Sequence, residues 1–145
     1  MFHLRIVTPT KKIFDGESDY LSLATDDGIQ VILPGHAPYM ATVTSSELSY
    51  SDNGKIQPYA VTSGYLEVSD NDVKVILDNA LHPQEIDIAS EQEAIKRAEE
   101  LVAHSPLEVD ISKLQATIKL ANLHITTARK YREKNKLPQN EDIPS

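Results

Sequence analysis

Five of the eight residues from Arg129 to Lys136 carry positive charge: Arg129, Lys130, Arg132, Lys134 and Lys136. Cations favour a helix C-terminus through the macrodipole, each contributing about 0.3–1 kcal/mol. Five exceed that need, so the cluster reads as a surface for an acidic partner. A second candidate is Pro34-Gly35-His36-Ala37-Pro38, a rigid turn presenting one imidazole. Within it His36 either fixes the turn by hydrogen bonding or meets a partner. A third is Asp26-Asp27-Gly28 with Ile29 and Gln30, an acidic turn opening a strand. Bond-making chemistry finds no support. The five histidines (His3, His36, His82, His104 and His124) show no metal-ligand spacing, and there is no cysteine. No glycine-rich loop carries a lysine for phosphate, and no motif assembles serine, histidine and aspartate.

The elements that must hold these groups change character along the chain. Phe2, Leu4 and Ile6 alternate with His3, Arg5 and Val7, the period of a strand rather than a signal peptide. Tyr20–Thr25 and Ile29–Leu33 flank Asp26-Asp27-Gly28. Glu47–Ser51 and Lys55–Gln57 flank Asp52-Asn53-Gly54, whose Asn-Gly pair is a strong hairpin signal. Tyr65–Val68 and Val73–Leu77 flank Ser69–Asp72 in the same way. Pro58 lacks an N–H and is expected at an edge or bulge. Residues 1–84 therefore predict an antiparallel β-sandwich or barrel.

His82-Pro83 marks the switch to a helical period. Asp87 or Ser90 caps a first helix, Ser90 with Glu93 matching the capping-box pattern. Ala94, Ala98 and Val102 form its stripe, with Ile95 and Leu101 beside it; it should run to about Ala103, before Pro106. Asp110 is expected to cap a second helix. There Ile111, Leu114, Ile118, Ala121, Ile125 and Ala128 follow an a/d spacing. The short connection favours an antiparallel hairpin over residues 85–137, followed by a disordered tail, 138–145. The fold class is thus α+β in two segregated parts. So small a hairpin must dock on something or fluctuate.

Composition narrows the partners. The 145 residues carry a net charge of −8, which opposes nucleic acid and anionic lipid alike. Residues 1–84 hold five Lys/Arg against eleven Asp/Glu, whereas residues 85–137 hold nine of each. No apolar run approaches the roughly 20 residues that span a bilayer, so direct membrane insertion is not expected. Absence of cysteine suits a reducing compartment.

Ile32-Leu33-Pro34-Gly35-His36-Ala37-Pro38-Tyr39-Met40-Ala41 resembles the I-x-P-G-H-A-P segment of the ATP synthase epsilon-subunit family. Val7-Thr8-Pro9 with Phe14-Asp15-Gly16 is similar to its first hairpin. Ser63–Val68 followed by Val73–Ala80 is similar to its G-x-x-E-V…V-x-V-L-x-D-x-A ending. Glu85-Ile86-Asp87 with Ala94–Glu100 resembles the start of its helical hairpin. The likeness spans residues 2–136. It implies a non-catalytic subunit of a bacterial- or plastid-type rotary enzyme, in the central stalk that couples ion flow to ATP synthesis. Its β-sandwich would hold the gamma subunit through His36, Pro34, Gly35, Ala37 and Pro38. Asp26, Asp27, Gly28, Ile29 and Gln30 would meet the c-ring, although Ile29 and Val31 stand where an acidic residue and a glycine are common. The helices would extend into the alpha/beta catalytic head and obstruct hydrolysis, with Arg129, Lys130, Arg132, Lys134 and Lys136 on the beta subunit. Attachment would be peripheral, at the cytoplasmic face of the plasma membrane. Nucleotide-sensing relatives carry I-D-x-x-R-A. Here Ser90 and Glu91 replace the arginine and alanine, removing a permanent charge; the resemblance leaves Asp87, Arg129 and Arg132 as a weak phosphate site, and no cofactor and no regulatory ATP are expected. A stand-alone nucleotide sensor and an unrelated β-sandwich adhesion or carbohydrate-binding module are the competing readings. The first is opposed by Ser90 and Glu91 and the second by the lack of tryptophan.

Overall fold

The computed structural model describes residues 1–104 and 108–136. The chain divides into two compact units, one of Met1–His82 and one beginning at Pro83.

The first unit is a curled sheet. Its strands are β1 Phe2–Val7, β2 Lys12–Ser18, β3 Leu21–Thr25, β4 Gly28–Ile32, β5 Tyr39–Val43, β6 Ser46–Asp52, β7 Lys55–Val61, β8 Gly64–Ser69, β9 Asp72–Leu77 and β10 Ala80–Leu81. They pair in the order β10-β7-β6-β3-β5-β8-β9-β1-β2, with β4 joined to β3 alone. The pairing is antiparallel throughout except between β1 and β9, which run parallel with Leu4 opposite Val73 and Ile6 opposite Val75. That one pair differs from the antiparallel rest because the curl of the sheet, not a hairpin, brings the two strands together.

Alternation decides which side is buried. Along β8 and β9 every second residue is buried, giving Leu66 and Val68 opposite Val75 and Val73. These join Leu4, Ile6, Leu23, Leu48 and others in one continuous core. The far strand β2 folds over β6. Phe14 lies 4.6 Å from the Tyr50 ring, and the buried Ser18 and Ser51 hydroxyls share a 2.8 Å hydrogen bond. Ser51 also donates to Asp19 at 2.6 Å. Buried polar atoms are thus paired where the sheet closes on itself.

Turn chemistry follows the sequence. Asn53 and Gly54 have φ of 54° and 81°, the left-handed pair that a tight hairpin between β6 and β7 requires. Pro58 pairs with Ser49 of β6, and β10 reaches only Ala60 and Val61 on the other side. Its missing N–H therefore falls at a locally free edge. At Gly64 no side chain fits. A Cβ would run into the Ile76 carbonyl oxygen and lie 2.9 Å from the Leu77 Cα, so β8 and β9 start this close only because residue 64 is glycine.

The second unit opens with a single 3-10 turn, Pro83–Glu85, then α1 Ile88–His104 and α2 Glu108–Lys136. Ser90 is not the cap. The Asp87 carboxylate accepts from the Ser90 N–H at 3.2 Å, which makes Asp87 the N-cap and places Ser90 in the first turn. Helix α2 begins two residues before Asp110, so that residue lies inside the helix rather than ahead of it. Pro106 and the expected tail lie outside the described residues, as do the side chains of Asp110 and Lys136. On α1, Ala98 is buried and Ala94, Ile95 and Val102 are half-buried, but Leu101 is 57% exposed and sits off the stripe. On α2, Ala121, Ile125 and Ala128 are buried, while Ile111, Leu114 and Ile118 are only half-buried. Two polar residues, His124 and Thr127, are buried with them. Glu91 near the start of α1 reaches His124 far along α2, so the helices run antiparallel.

Candidate interaction surfaces

The two sequence-predicted patches of the β unit meet through one tyrosine. Leu33-Pro34-Gly35-His36 is closed by a hydrogen bond from the His36 N–H to the Leu33 carbonyl at 3.1 Å. Proline precedes a glycine at φ 85°, the arrangement of a type II turn. The His36 Nδ1 lies 2.6 Å from the Ala37 carbonyl, so the ring is fixed locally while Pro34, Gly35, Ala37 and Pro38 are exposed. Tyr39 follows at the start of β5, its ring 5.9 Å from that of His36. Its hydroxyl donates to Asp27 at 2.7 Å. The Asp26-Asp27 turn is itself held by Thr25, whose hydroxyl donates to the Gly28 carbonyl at 3.0 Å and accepts from the Asp27 N–H. The Asp26 N–H donates to the Thr42 carbonyl of β5. A hydrogen bond with Thr25 pulls the Tyr39 phenol downward, but donation to Asp27 and nearby carboxylates outweigh it and leave it raised.

The outer face of the same sheet carries a further surface that the sequence motifs do not mark. On the outer face of β5, β8 and β9, Met40 is 75% exposed, Tyr65 67% and Ile76 44%. Register sets them in rows. Thr42, Tyr65, Ile76 and Val7 lie across four strands, beside Met40, Glu67, Lys74 and Arg5. Asp26, Met40, Tyr65, Glu67, Lys74 and Ile76 line one shallow depression. An apolar row bordered by charges has the composition of a protein-binding surface. On the edge strand β4, Ile29 and Val31 are exposed, Leu33 follows just beyond it, and Gln30 is half-buried.

The helical unit gathers its candidates differently. Arg129, Lys130 and Lys134 are exposed. Arg132 instead donates to the Ile86 carbonyl at 2.7 Å, tying the end of α2 to the start of α1. Asp87, adjacent to Ile86, is committed to its cap. The three residues of the weak phosphate site are therefore near one end of the hairpin, with two of them engaged in holding it shut. Among the described residues no group of three or more His, Asp or Glu could hold a metal ion, and no helix is long and apolar enough to cross a membrane.

A curled β unit with exposed apolar residues on its outer face, followed by a two-helix hairpin, offers surfaces of the kind that bind protein partners. The model of the ATP synthase delta/epsilon chain β-sandwich domain matches residues 1–83. An ATP synthase epsilon chain of Nitratidesulfovibrio vulgaris is 35% identical over 119 residues, covering 82% of this chain and 89% of its own. That of Ruminococcus albus is 30% identical, with 90% and 98% covered. That of Geobacter sulfurreducens is 34% identical, with 86% and 91% covered. The fold is also similar to a chain in the Euglena gracilis mitochondrial ATP synthase (OSCP, F1 and c-ring), at TM-score 0.67 and 19% identity, covering 92% of this chain and 80% of that one. A chain of the Tetrahymena thermophila mitochondrial central stalk and c-ring gives 0.62 and 11%, covering 87% and 95%. The chain belongs to the ATP synthase epsilon-chain family, whose members are non-catalytic subunits of that enzyme.

Proposed function

We propose that this chain is a central-stalk component that anchors through its β unit and restrains hydrolysis through its helices. The observation that carries the anchoring is the outer face of β5, β8 and β9, where Met40, Tyr65 and Ile76 are exposed. A folded domain leaves such a row uncovered at a cost in solubility, and a partner that covers it recovers that apolar burial. The gamma subunit is the partner assigned to it, and to Pro34, Gly35, His36, Ala37 and Pro38. Asp26, Asp27, Gly28, Ile29 and Gln30 face the c-ring, where exposed Ile29 supplies apolar contact and the two aspartates supply charge. Arg129, Lys130, Lys134 and Lys136 face an acidic segment of the beta subunit. Arg132 joins them only after releasing Ile86. With Asp87 and Arg132 engaged in the hairpin, the reading includes no nucleotide and no other cofactor. The chain attaches peripherally, at the cytoplasmic face of the plasma membrane.

The test is binding of the full chain to a catalytic head that retains gamma but has been stripped of its own epsilon chain. Tight one-to-one binding is expected. The double substitution Met40→Glu, Tyr65→Glu should abolish it while leaving the sheet's circular-dichroism signal intact. Undiminished binding by that variant would remove the outer face as the anchor. Restraint is read separately: truncation before Ile86 should keep binding but raise ATP hydrolysis.

A further inference from the structure

A sheet edge presents a row of unpaired N–H and C=O groups, and proteins blunt such edges with charge, proline or shortness. The two ends of the pairing order are blunted in these ways. Strand β2, at one end, carries Lys12, Asp15 and Glu17. Strand β10, at the other, is two residues long, and β7 beside it carries Lys55 and Pro58. Strand β4 has none of these devices. It pairs with β3 alone and reads Gly-Ile-Gln-Val-Ile, without charge or proline.

The hairpin register fixes where the free groups of β4 point. Thr25 pairs with Gly28 across the two-residue turn Asp26-Asp27, so these two exchange hydrogen bonds. Hydrogen-bonded pairs alternate along an antiparallel ladder, which makes Leu23–Gln30 and Leu21–Ile32 the next two. The N–H and C=O groups of Ile29 and Val31 therefore point away from β3. Among the described residues no strand or loop hydrogen bond reaches them from the other side. Their side chains are uncovered as well, at 76% and 45% exposure, whereas Ile32 sits in the core. Exposed Leu33 extends the apolar edge by one residue, and Pro34 ends it.

We infer that β4 is a docking edge for an extended segment of a partner protein, which adds to the sheet as a further strand. The segment is apolar at alternate positions, covering Ile29 and Val31, and basic at the end that lies against Asp26 and Asp27. Charge decides against a second copy of this chain. Both aspartates are exposed at the mouth of the strand, and residues 1–84 hold eleven Asp/Glu against five Lys/Arg, so two such units repel. A contact through side chains alone would leave the free backbone groups unpaired. Strand addition pairs them and gives the contact a register. The inference rests on the reading that this part of the β unit faces a protein in the ATP synthase, and adds how that protein is held.

The experiment compares the full chain free and bound to ATP synthase stripped of its own epsilon chain, with amide exchange read residue by residue by mass spectrometry. In the free chain the Gln30 and Ile32 amides should be protected, and those of Ile29 and Val31 should exchange openly. On binding, the Ile29 and Val31 amides should slow about ten-fold or more. Val31→Pro removes an N–H that β3 does not use. It should weaken binding about ten-fold while the amides of β8 and β9 stay protected. Ile29→Lys leaves the main chain intact and should also weaken binding, because it sets a cation against a basic segment. Binding with both amides as open as in the free chain would overturn strand addition and leave the central-stalk role standing. Full-strength binding by Val31→Pro would do the same, and so would a free chain that dimerises through this edge. If the parent did not bind the enzyme, that role would fall, and a lysine-flanked peptide of alternating valine and threonine would decide the edge alone. Slowed exchange at Ile29 and Val31 with that peptide would uphold it, and unchanged exchange would end it.

Discussion

The two units solve the problem of holding together in opposite ways. The β unit buries Leu4, Ile6, Leu23, Leu48, Leu66 and Val75 to 1% exposure or less, in a cluster drawn wholly from residues 2–80. Among its described residues the helical unit buries Ala98, Ala121, Ala128, Pro83, Ile86 and Ile125, and two polar residues whose hydrogen bonds are not all made. Alanine permits close approach but contributes little apolar area, roughly in proportion to its size. Closure of the hairpin is therefore shared with small polar devices: the Asp87 cap, the Arg132 clamp on Ile86, and the Glu91–His124 pair. One unit is a scaffold. The other is held by contacts whose loss costs little, so it should open at lower free energy than the sheet.

The largest effects should fall on the scaffold. Leu66→Ala removes a fully buried side chain facing Val75 and should cost about 2–5 kcal/mol in urea unfolding of the β unit. Gly64→Ala forces β8 away from the Ile76 carbonyl, and overpacking of this kind costs about 1–3 kcal/mol or more. Neither should alter the amide protection of α1. Loss of helix protection in proportion to loss of the sheet would merge the two units into one cooperative body and break the contrast.

A pH effect separates them further. Burial, followed by the neighbouring Tyr59 and Asp52, pushes the Tyr50 phenol well above the usual value. The folded state thus holds that proton more tightly than the unfolded chain. Its contribution is complete below about pH 10, the ordinary phenol value, and is lost as pH rises beyond it. The urea midpoint of the β unit should drop between pH 9 and about pH 11, and Tyr50→Phe should flatten that drop.

How much of this was legible in the sequence depends on range. Period-two alternation in Phe2–Val7 and Tyr65–Leu77, with Asn53-Gly54 between Glu47 and Gln57, marks strands and hairpins because those signals are local. Strand β5 was hidden. It follows the Pro-Gly-His turn directly, and exposed Met40 is as apolar as its buried neighbours, so no alternation shows. The parallel pairing of β1 with β9 joins residues about seventy positions apart, and no local pattern encodes it. At the site, the His36 and Asp26-Asp27 turns were visible, but their junction at Tyr39 needed coordinates. On α2 the a/d spacing is carried by apolar residues, so nothing in it marks His124 and Thr127, which are buried with them.

The helix start gives the smallest and sharpest test of the comparison. Ser90 with Glu93 matches a capping box by pattern, yet the 3-10 turn at Pro83–Glu85 starts α1 earlier and gives the cap to Asp87. The local motif lost to a structural constraint three residues upstream. Asp87→Ala should therefore cost about 1 kcal/mol of helix stability, seen as lower amide protection in the first turns of α1. Ser90→Ala should stay within about 0.5 kcal/mol, as substitutions at exposed sites without such a role do. Equal losses from the two would mean that the cap alternates between them. The hairpin would then be looser at its entrance than the Arg132 clamp alone implies.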